Sequence, residues 1–296
     1  MTTTSQNAKG ALFMAAAMAC YVVNDTFMKL VAQDLPLFQA IFIRGAFATT
    51  LLGLFALKNK AFSPEEGLLR ALKEPALVVR VIAEALGTWL FLNALFSMPI
   101  ANVTAVLQLL PLTVTLGAAL FFGEKVGWRR YGAIIAGFLG VLLIIRPDTG
   151  GFDIFALSAL GATVAVTVRD LATKRLRPGT NTLLVSFATA IAITILSGAF
   201  ATLSPWASVS TENLIYMLCA ATVLICGYVF SVLTMRVGEV SFTAPFRYSI
   251  MIWAILLGIF VFGEFPDALA LTGTVIIVAS GLFTFYRERR LSTQST

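Results

Sequence analysis

Charged side chains occur in this sequence inside long apolar stretches. A charge at the centre of a membrane-spanning helix costs about 2.5 to 3.5 kcal/mol on insertion scales, so each residue of this kind is a candidate functional residue. An arginine that faces a water-filled cavity can bind a carboxylate through two parallel hydrogen bonds. A carboxylate can take a proton or face an ammonium group. The set comprises Asp25, Arg44, Arg80, Glu84 and Arg247, with Arg169 and Asp170 nearer the end of their stretch.

These charged residues could bind the substrate or couple transport to a proton. Alternatively, they could form ion pairs with one another. Arg44 and Arg247 are predicted to anchor the carboxylate of a substrate. Asp25 and Glu84 are predicted coupling or gating residues, because each can hold a proton or face a substrate ammonium. Asp25 and Arg44 lie at similar depths on adjacent helices and could instead pair. Glu84 lies one helical turn from Arg80 and could pair with it, or be shared with Arg247.

Polar and aromatic residues near these charges complete the predicted pocket. Pro111 and Pro245 interrupt the backbone hydrogen bonds of their helices. The carbonyl groups freed in this way could line a cavity, or the prolines could only kink the helices. The aromatic residues could equally be core. A pocket of this kind, apolar with few polar anchors, suits an amphipathic organic solute. The remaining predicted substrate-binding residues are Trp89, Asn93, Gln108, Tyr248 and Trp253.

The elements that position these residues are ten apolar stretches of about 20 residues, the length needed to cross a membrane as a helix. The 296 residues are 58% hydrophobic and 12% charged, with a mean hydropathy of +0.90. The sequence therefore predicts an all-α membrane protein. The predicted spans are 11–31, 36–57, 75–97, 99–121, 128–146, 153–174, 180–203, 212–235, 240–262 and 267–286.

Two halves of the chain repeat each other. "FGE" occurs at residues 122–124 and again, 140 residues later, at 262–264. Asp25 and Lys29 correspond to Asp170 and Lys174 at an offset of 145. Each half holds five spans, an odd number, so the second half enters the membrane from the opposite side. This predicts two inverted five-helix repeats, 11–146 and 153–286, between an amino-terminal tail at 1–10 and a carboxyl-terminal tail at 287–296.

Glycines recur at helical spacing in the last span of each half. Gly132 and Gly140 correspond to Gly273 and Gly281 at an offset of 141. Small residues at this spacing allow helices to approach closely, so these four are predicted packing residues. A self-associating face is the alternative. The glutamate of each "FGE" is predicted to favour the amino terminus of the helix that follows it.

Basic residues indicate the orientation. With a cytoplasmic amino terminus, 15 of the 21 Lys and Arg residues fall in cytoplasmic segments and 2 in external ones. Both termini are therefore predicted to be cytoplasmic. The net charge of +6 is spread over short loops, which indicates topology rather than nucleic-acid binding.

The sequence contains no histidine, and its three cysteines lie in apolar spans, so no metal site or cofactor is predicted. It also lacks a phosphate-binding loop motif and a Gly-x-Ser-x-Gly nucleophile motif, so neither an ATP-driven pump nor an enzyme is predicted.

The five-plus-five arrangement, the two "FGE" turns and the glycine-bearing helices that follow them resemble the drug/metabolite transporter superfamily, in particular its EamA-type ten-helix exporters. Within that group the chain is most similar to bacterial exporters of amino acids, including aromatic ones. The resemblance implies a secondary transporter of the bacterial inner membrane, surrounded by lipid, that exports a small-molecule substrate by alternating access. A monomer is expected.

Other functions stay open at this point. A channel can also have inverted repeats. Within the superfamily, the substrate could be a cationic or neutral drug-like compound, or a nucleotide sugar or sugar phosphate. A phosphate would need several cationic contacts, and only Arg44 and Arg247 are well placed, which favours a monoanionic or zwitterionic solute.

Overall fold

The computed structural model describes residues 4–58, 74–123, 127–146, 154–176, 182–237 and 239–294. All regular secondary structure in these ranges is helical, and it forms ten helices. Eight are continuous: α1 (Thr4–Val31), α2 (Leu37–Lys58), α3 (Pro75–Ser97), α5 (Trp128–Ile145), α6 (Ile154–Lys174), α7 (Thr182–Ala201), α8 (Thr211–Val237) and α10 (Ala268–Gln294). Helix α4 consists of Ile100–Leu107 and Leu110–Phe122, and α9 consists of Val240–Thr243, a 3₁₀ turn at Ala244–Ser249, and Ile250–Phe262.

The helices match the predicted spans. Among the described residues, nine helices are long and apolar enough to cross a membrane, and the tenth is represented by the shorter apolar stretch Val185–Ala201 of α7. Helix α1 begins before the predicted span and α10 continues beyond it, through polar residues at each end of the chain. The orientation of the termini stays a prediction. Following it, we call the side on which α1 ends the outer side.

The helices pair as a two-fold axis between the halves would require. Helix α1 packs mainly on α8, and its counterpart α6 packs mainly on α3. Helices α2 and α7, which correspond to each other, pack together, as do α5 and α10. The weaker contacts also come in matched pairs, α8 with α2 and α7 with α3. This pattern supports the prediction of two repeats, each of which completes its core only against the other.

The interruptions in α4 and α9 fall at equivalent positions. Helix α4 breaks at Gln108 and Leu109, just before Pro111, and the 3₁₀ turn of α9 contains Pro245. Proline lacks the N–H group that an α-helix needs and its ring clashes with the preceding turn, so the helix cannot continue regularly. At the repeat offset of 140, the turn at 244–249 corresponds to 104–109. Both halves thus carry a break at the same depth.

Glycines allow α5 and α10 to approach closely. A Cβ atom added to Gly140 would meet the carbonyl oxygen of Gly273 at 2.8 Å, and one added to Gly273 would meet the carbonyl oxygen of Gly140. Gly281 instead accommodates the ring of Tyr248 from α9. The packing prediction is corrected at Gly132, where a Cβ atom would meet nothing within 4 Å. This residue lines an open groove and not a helix contact.

Candidate functional site

A cluster in the outer half of the membrane joins α1 to α2 through an asparagine. The Asn24 side-chain amide donates to Asp25 Oδ1 at 2.9 Å. Its oxygen accepts a long hydrogen bond of 3.4 Å from Arg44 Nη1. Arg44 and Asp25 interact electrostatically, but no direct ion pair between them occurs in the described structure. The predicted pairing of these two charges therefore runs through Asn24, which lies between them.

A second cluster, in the inner half, joins α3 to α6. Arg169 Nη1 lies 3.1 and 3.2 Å from the two carboxylate oxygens of Glu84, and its Nη2 lies 2.7 Å from Asp170 Oδ1. Arg80 lies farther from the same glutamate: its Nη2 is 4.0 Å from Glu84 Oε2. The predicted ion pair of Arg80 with Glu84 is present at this longer distance, whereas Arg247 makes no ion pair with Glu84 in the described structure. The closer partner of Glu84 is Arg169, which was not predicted. Packing of α3 on α6, which the sequence does not reveal, brings the two together.

Arg80 is held by hydroxyl groups on two other helices. Its Nε donates to Thr173 on α6 at 3.0 Å and its Nη1 donates to Thr189 on α7 at 2.8 Å. Helices α3, α6 and α7 are therefore linked through one guanidinium in the inner half of the bundle. With these partners, Arg80 has a structural role.

Tyr228 on α8 lies between the two clusters, in the polar interior of the bundle. The side chain is 42% exposed. A tyrosine that faced lipid would have only apolar surroundings, whereas this one interacts electrostatically with charged residues of three other helices. From an exposed ring among charges we infer a polar cavity inside the bundle, called the Tyr228 cavity below. Its charged neighbours are Arg44, Arg80, Glu84 and Arg169.

Tyr21 of α1 extends the same polar region. Its hydroxyl lies 3.0 Å from Ser231 Oγ on α8, and its ring meets that of Tyr228 edge to face with centroids 6.2 Å apart. Tyr21 also interacts electrostatically with Arg247 of α9. The region therefore continues from the charged clusters to the 3₁₀ turn of α9.

Arg247 is the charged residue of the predicted site that has the fewest polar partners in the described structure. The residue is exposed, and within the described ranges it makes no ion pair and no hydrogen bond through its guanidinium. Its electrostatic neighbours are the phenols of Tyr21 and Tyr248. A guanidinium inside a span without a carboxylate in contact is available to a ligand.

Gln108 and Tyr248 lie at the two helix breaks. Gln108 is buried and ends the first segment of α4. The Tyr248 hydroxyl is buried against Gly281 of α10 and has no hydrogen-bond partner in the described structure. Two more hydroxyls at the breaks, those of Thr104 and Ser249, are also buried without a partner. Tyr248 is thus directed at α10 and not at the Tyr228 cavity.

Trp89 and Asn93 on α3 are occupied by neighbouring helices. The Trp89 indole donates to Ser197 of α7 at 2.9 Å, and its ring packs edge to face on Phe38 and Phe200. Asn93 donates to Ser158 of α6 at 3.0 Å. Both side chains hold helices together in this structure.

Trp253 lies away from the cavity. It is 37% exposed and shares a face of α9 with Leu256 and Phe260, which are also exposed. A helix face made of large exposed apolar residues suits contact with lipid. The position does not place Trp253 beside the charged clusters.

The outer ends of four helices are connected by Glu264. One carboxylate oxygen lies 2.5 Å from Lys29 Nζ at the end of α1. The other accepts the backbone N–H of Ile100, at the start of α4, at 2.9 Å. Lys29 also donates to the carbonyl of Met98, just after α3, at 2.6 Å. The predicted role of this turn acid is corrected: it caps α4 and not the following helix α10. The equivalent Glu124 lies outside the described residues.

Further contacts join the two halves on the outer side. Gln39 exchanges two hydrogen bonds with the backbone of Ala207, at 2.8 and 3.0 Å. Asn213 donates to Asp34 at 2.9 Å. Arg146 pairs with Asp267 on the exposed surface, and its guanidinium lowers the pKa of the Asp267 carboxyl to about 2. Together with Glu264, the Gln39 and Asn213 contacts join the two halves at the outer side of the bundle, whereas the exposed Arg146 pair adds little.

A groove of about 550 Å³ lies at the inner ends of α5 and α10, far from the charged clusters. Its lining is mostly apolar and includes Trp128, Ala136 and Phe283, with Arg129 at the edge. Among the described residues, no three His, Cys, Asp or Glu side chains form a group that could hold a metal ion.

Sequence reasoning missed Asn24, Tyr21 and Tyr228 as members of the polar interior, and it missed the pairing of Glu264 with Lys29. The signal for Asn24 was its position beside Asp25 inside an apolar span. The repeats marked the "FGE" turn and Lys29 separately, at offsets of 140 and 145, but nothing in the sequence indicated that Glu264 and Lys29 pair. Nothing in the sequence identified the two tyrosines, because their role depends on the packing of α1 on α8.

Comparison with known proteins agrees with this architecture. Residues 8–146 match the model of the EamA-like transporter family. An S-adenosylmethionine uptake transporter of Rickettsia conorii is 26% identical over 90% of this chain and 89% of its own. A pseudopaline exporter of Pseudomonas aeruginosa is 25% identical over 92% and 94%, and a riboflavin transporter of Rhizobium johnstonii is 28% identical over 72% and 70%.

A crystal structure with 17% sequence identity superposes with a TM-score of 0.64 over 96% of this chain and 99% of its own, which shows the shared fold. The family match and the relatives, all named as transporters, agree with the apolar helices of the structure. The protein is thus a multi-pass transporter of the bacterial inner membrane and not an enzyme. Its first repeat matches the EamA-like transporter family, and this match together with the relatives supports placing the chain in the drug/metabolite transporter superfamily.

Proposed function

We propose that this transporter exports amino acids or related small amphipathic metabolites by alternating access, with the substrate bound in the cavity that Tyr228 faces. The supporting observation is that Arg44 and Arg247, both inside the spans, have no carboxylate in contact among the described residues. An uncompensated charge inside a membrane is expensive, and a guanidinium binds a carboxylate through two parallel hydrogen bonds. A substrate that carries one carboxylate would supply the missing partner.

Alternating access is supported by the arrangement of the halves. Contacts such as that of Lys29 with Glu264 join the two halves at the outer side. In the inner half, the ion pair of Arg169 with Glu84 joins α6 to α3. Helices that are broken at matched depths, as α4 and α9 are, can bend on either side of a central site. Since the sequence has no phosphate-binding loop, we propose that a solute or proton gradient provides the energy.

The relatives favour organic solutes with polar heads. S-adenosylmethionine, which the Rickettsia relatives are named for, is an amino acid attached to an aromatic nucleoside. Riboflavin and pseudopaline, named for the other relatives, are also small organic molecules. The relatives include uptake and export proteins, so the direction proposed here follows the resemblance to amino-acid exporters.

Counterflow in proteoliposomes tests the proposal. Vesicles preloaded with an unlabelled amino acid are given labelled phenylalanine or threonine, and its entry is measured for wild type, Arg44→Ala and Arg247→Ala. We expect saturable entry into wild-type vesicles and its loss in at least one of the two variants. Arg236→Ala, which removes an exposed arginine at the end of α8, is the matched control and should retain exchange.

Three results would refute parts of the proposal. Absence of exchange for every amino acid would exclude amino acids as substrates. Full exchange in both arginine variants would show that neither guanidinium binds the carboxylate. Currents too large for a saturable carrier would identify a channel instead.

A further inference from the structure

Equivalent positions in the two halves hold different residues with different consequences. Asn24 and Arg169 correspond at the offset of 145, and each precedes an aspartate. In the second half, Arg169 contacts Asp170 and Glu84 directly, so the charges neutralise one another. In the first half, the amide of Asn24 binds the carboxylate on one side and the guanidinium of Arg44 on the other. We call the second-half cluster closed, because its charged groups are in direct contact, and the first-half cluster open, because Asn24 lies between its charged groups.

The open cluster has two poles, the Asp25 carboxylate and the Arg44 guanidinium, and both have unused hydrogen-bonding capacity. A carboxylate can accept about four hydrogen bonds and a guanidinium can donate five. Within the described structure, Asp25 accepts one side-chain hydrogen bond and Arg44 donates one, at the long distance of 3.4 Å. Asn24 is neutral, so it binds both poles without cancelling either charge. It is 3% exposed, and its position is fixed by burial between the helices.

We propose that Asn24 is a positioning residue that makes the site selective for zwitterions, by holding Asp25 and Arg44 apart as two separate poles. The ammonium of an α-amino acid binds the free acceptors of Asp25, and its carboxylate binds the free donors of Arg44. An apolar residue at this position lets Arg44 close onto Asp25, as Arg169 closes onto its carboxylates in the second half. This inference rests on the proposed transport of amino acids and adds the residue that determines the head group.

Competition in the counterflow assay tests the inference with three matched solutes. Phenylalanine has both charges, phenylalaninamide has only the ammonium, and N-acetylphenylalanine has only the carboxylate. For wild type, each singly charged analogue should compete roughly 10- to 100-fold more weakly than phenylalanine, because one charged hydrogen-bonding partner is left unpaired. The readout is the ratio between solutes, which a general loss of folded carrier does not change.

Two variants should change that ratio in different ways. Asn24→Leu should reduce the advantage of phenylalanine to less than about 3-fold, because the two poles collapse onto each other. Asn24→Asp places a second carboxylate beside Arg44, so phenylalaninamide should compete at least as well as phenylalanine. Asn213→Leu is the control: it removes another buried asparagine that donates to an aspartate, at the outer end of α8, and should keep the wild-type ratio.

The failures are distinguishable. If wild type exchanges no amino acid, the proposed function fails. If wild type exchanges phenylalanine but accepts the two analogues equally well, the inference about the head group is overturned and the proposed function stands. A wild-type ratio in both Asn24 variants would also overturn the inference. If Asn24→Leu is not recovered as a folded protein, Asn24→Asp alone tests the inference: phenylalaninamide should then compete at least as well as phenylalanine, and a wild-type ratio would overturn the inference.

Discussion

Removing the charge of Glu264 should destabilise the closed outer side. The carboxylate bonds Lys29 with one oxygen and the N–H of Ile100 with the other. Lys29 and Glu264 are 11% and 24% exposed, so water does little to replace these contacts. A Glu264→Gln variant has only one acceptor oxygen: if this oxygen stays on Ile100, the amide NH2 faces the Lys29 ammonium, so the ion pair is lost and the hydrogen bond to Ile100 is no longer charge-assisted. At about 1 kcal/mol for each bond, the loss is about 2 kcal/mol.

A loss of about 2 kcal/mol shifts the equilibrium between closed and open outer sides about 30-fold. Glu264→Ala should shift it further, because Lys29 keeps only its bond to the Met98 carbonyl and the Ile100 N–H loses its partner. The magnitude assumes that all these contacts break when the outer side opens. It therefore depends on α1 moving relative to α4 and α9.

Spin-label distances measure this shift directly. Labels at Ser204 and Leu269, both exposed at the outer side, would be introduced after the three native cysteines are replaced by alanine. We expect a longer distance to gain population in Glu264→Gln and to dominate in Glu264→Ala. Asp267→Asn, in the same loop, removes a carboxylate from an exposed pair and should leave the distribution unchanged. An unchanged distribution in Glu264→Ala would refute the reasoning.

Two further predictions concern stability. Gly273→Ala should lower the stability of the detergent-solubilised protein by about 1 to 3 kcal/mol, because the added methyl group meets the backbone of Gly140, whereas Gly132→Ala should be neutral or slightly stabilising in the same thermal unfolding assay. The Arg146 pair lowers the pKa of Asp267 from 3.8 to about 2. Its stabilisation is therefore present above about pH 4 and disappears between about pH 4 and 2. The difference in melting temperature between wild type and Asp267→Asn should be constant from pH 5 to 8; a change within that interval would contradict this assignment.

Much of the architecture could be predicted because one physical constraint dominates it. A segment that crosses a membrane must be helical and apolar over about 20 residues, so the spans are visible in the sequence. Prolines mark the breaks in α4 and α9 because they cannot donate the required hydrogen bond. The repeat offset then indicated which helices are equivalent. These features are local or periodic, and tertiary contacts do not alter them.

The site was harder to predict because it depends on which helices become neighbours. Glu84 lies one turn from Arg80, yet its closer partner is Arg169, since α3 packs along α6. Trp253 was predicted to face a pocket, but the face of α9 that it occupies is exposed. Depth along a helix can be counted from the sequence. The direction in which a side chain points around the helix, in a span that is apolar on every face, cannot.

The two poles of the α1 cluster also have an electrical consequence. Asp25 and Arg44 contribute opposite unit charges, so this pair is neutral when empty and stays neutral when a zwitterion is bound. A membrane potential does work of about 2.3 kcal/mol per 100 mV only on net charge that crosses the field. Export of a zwitterion by such a site is therefore insensitive to voltage unless a separate ion moves with it, and the concentration ratio of the solute alone can set the direction.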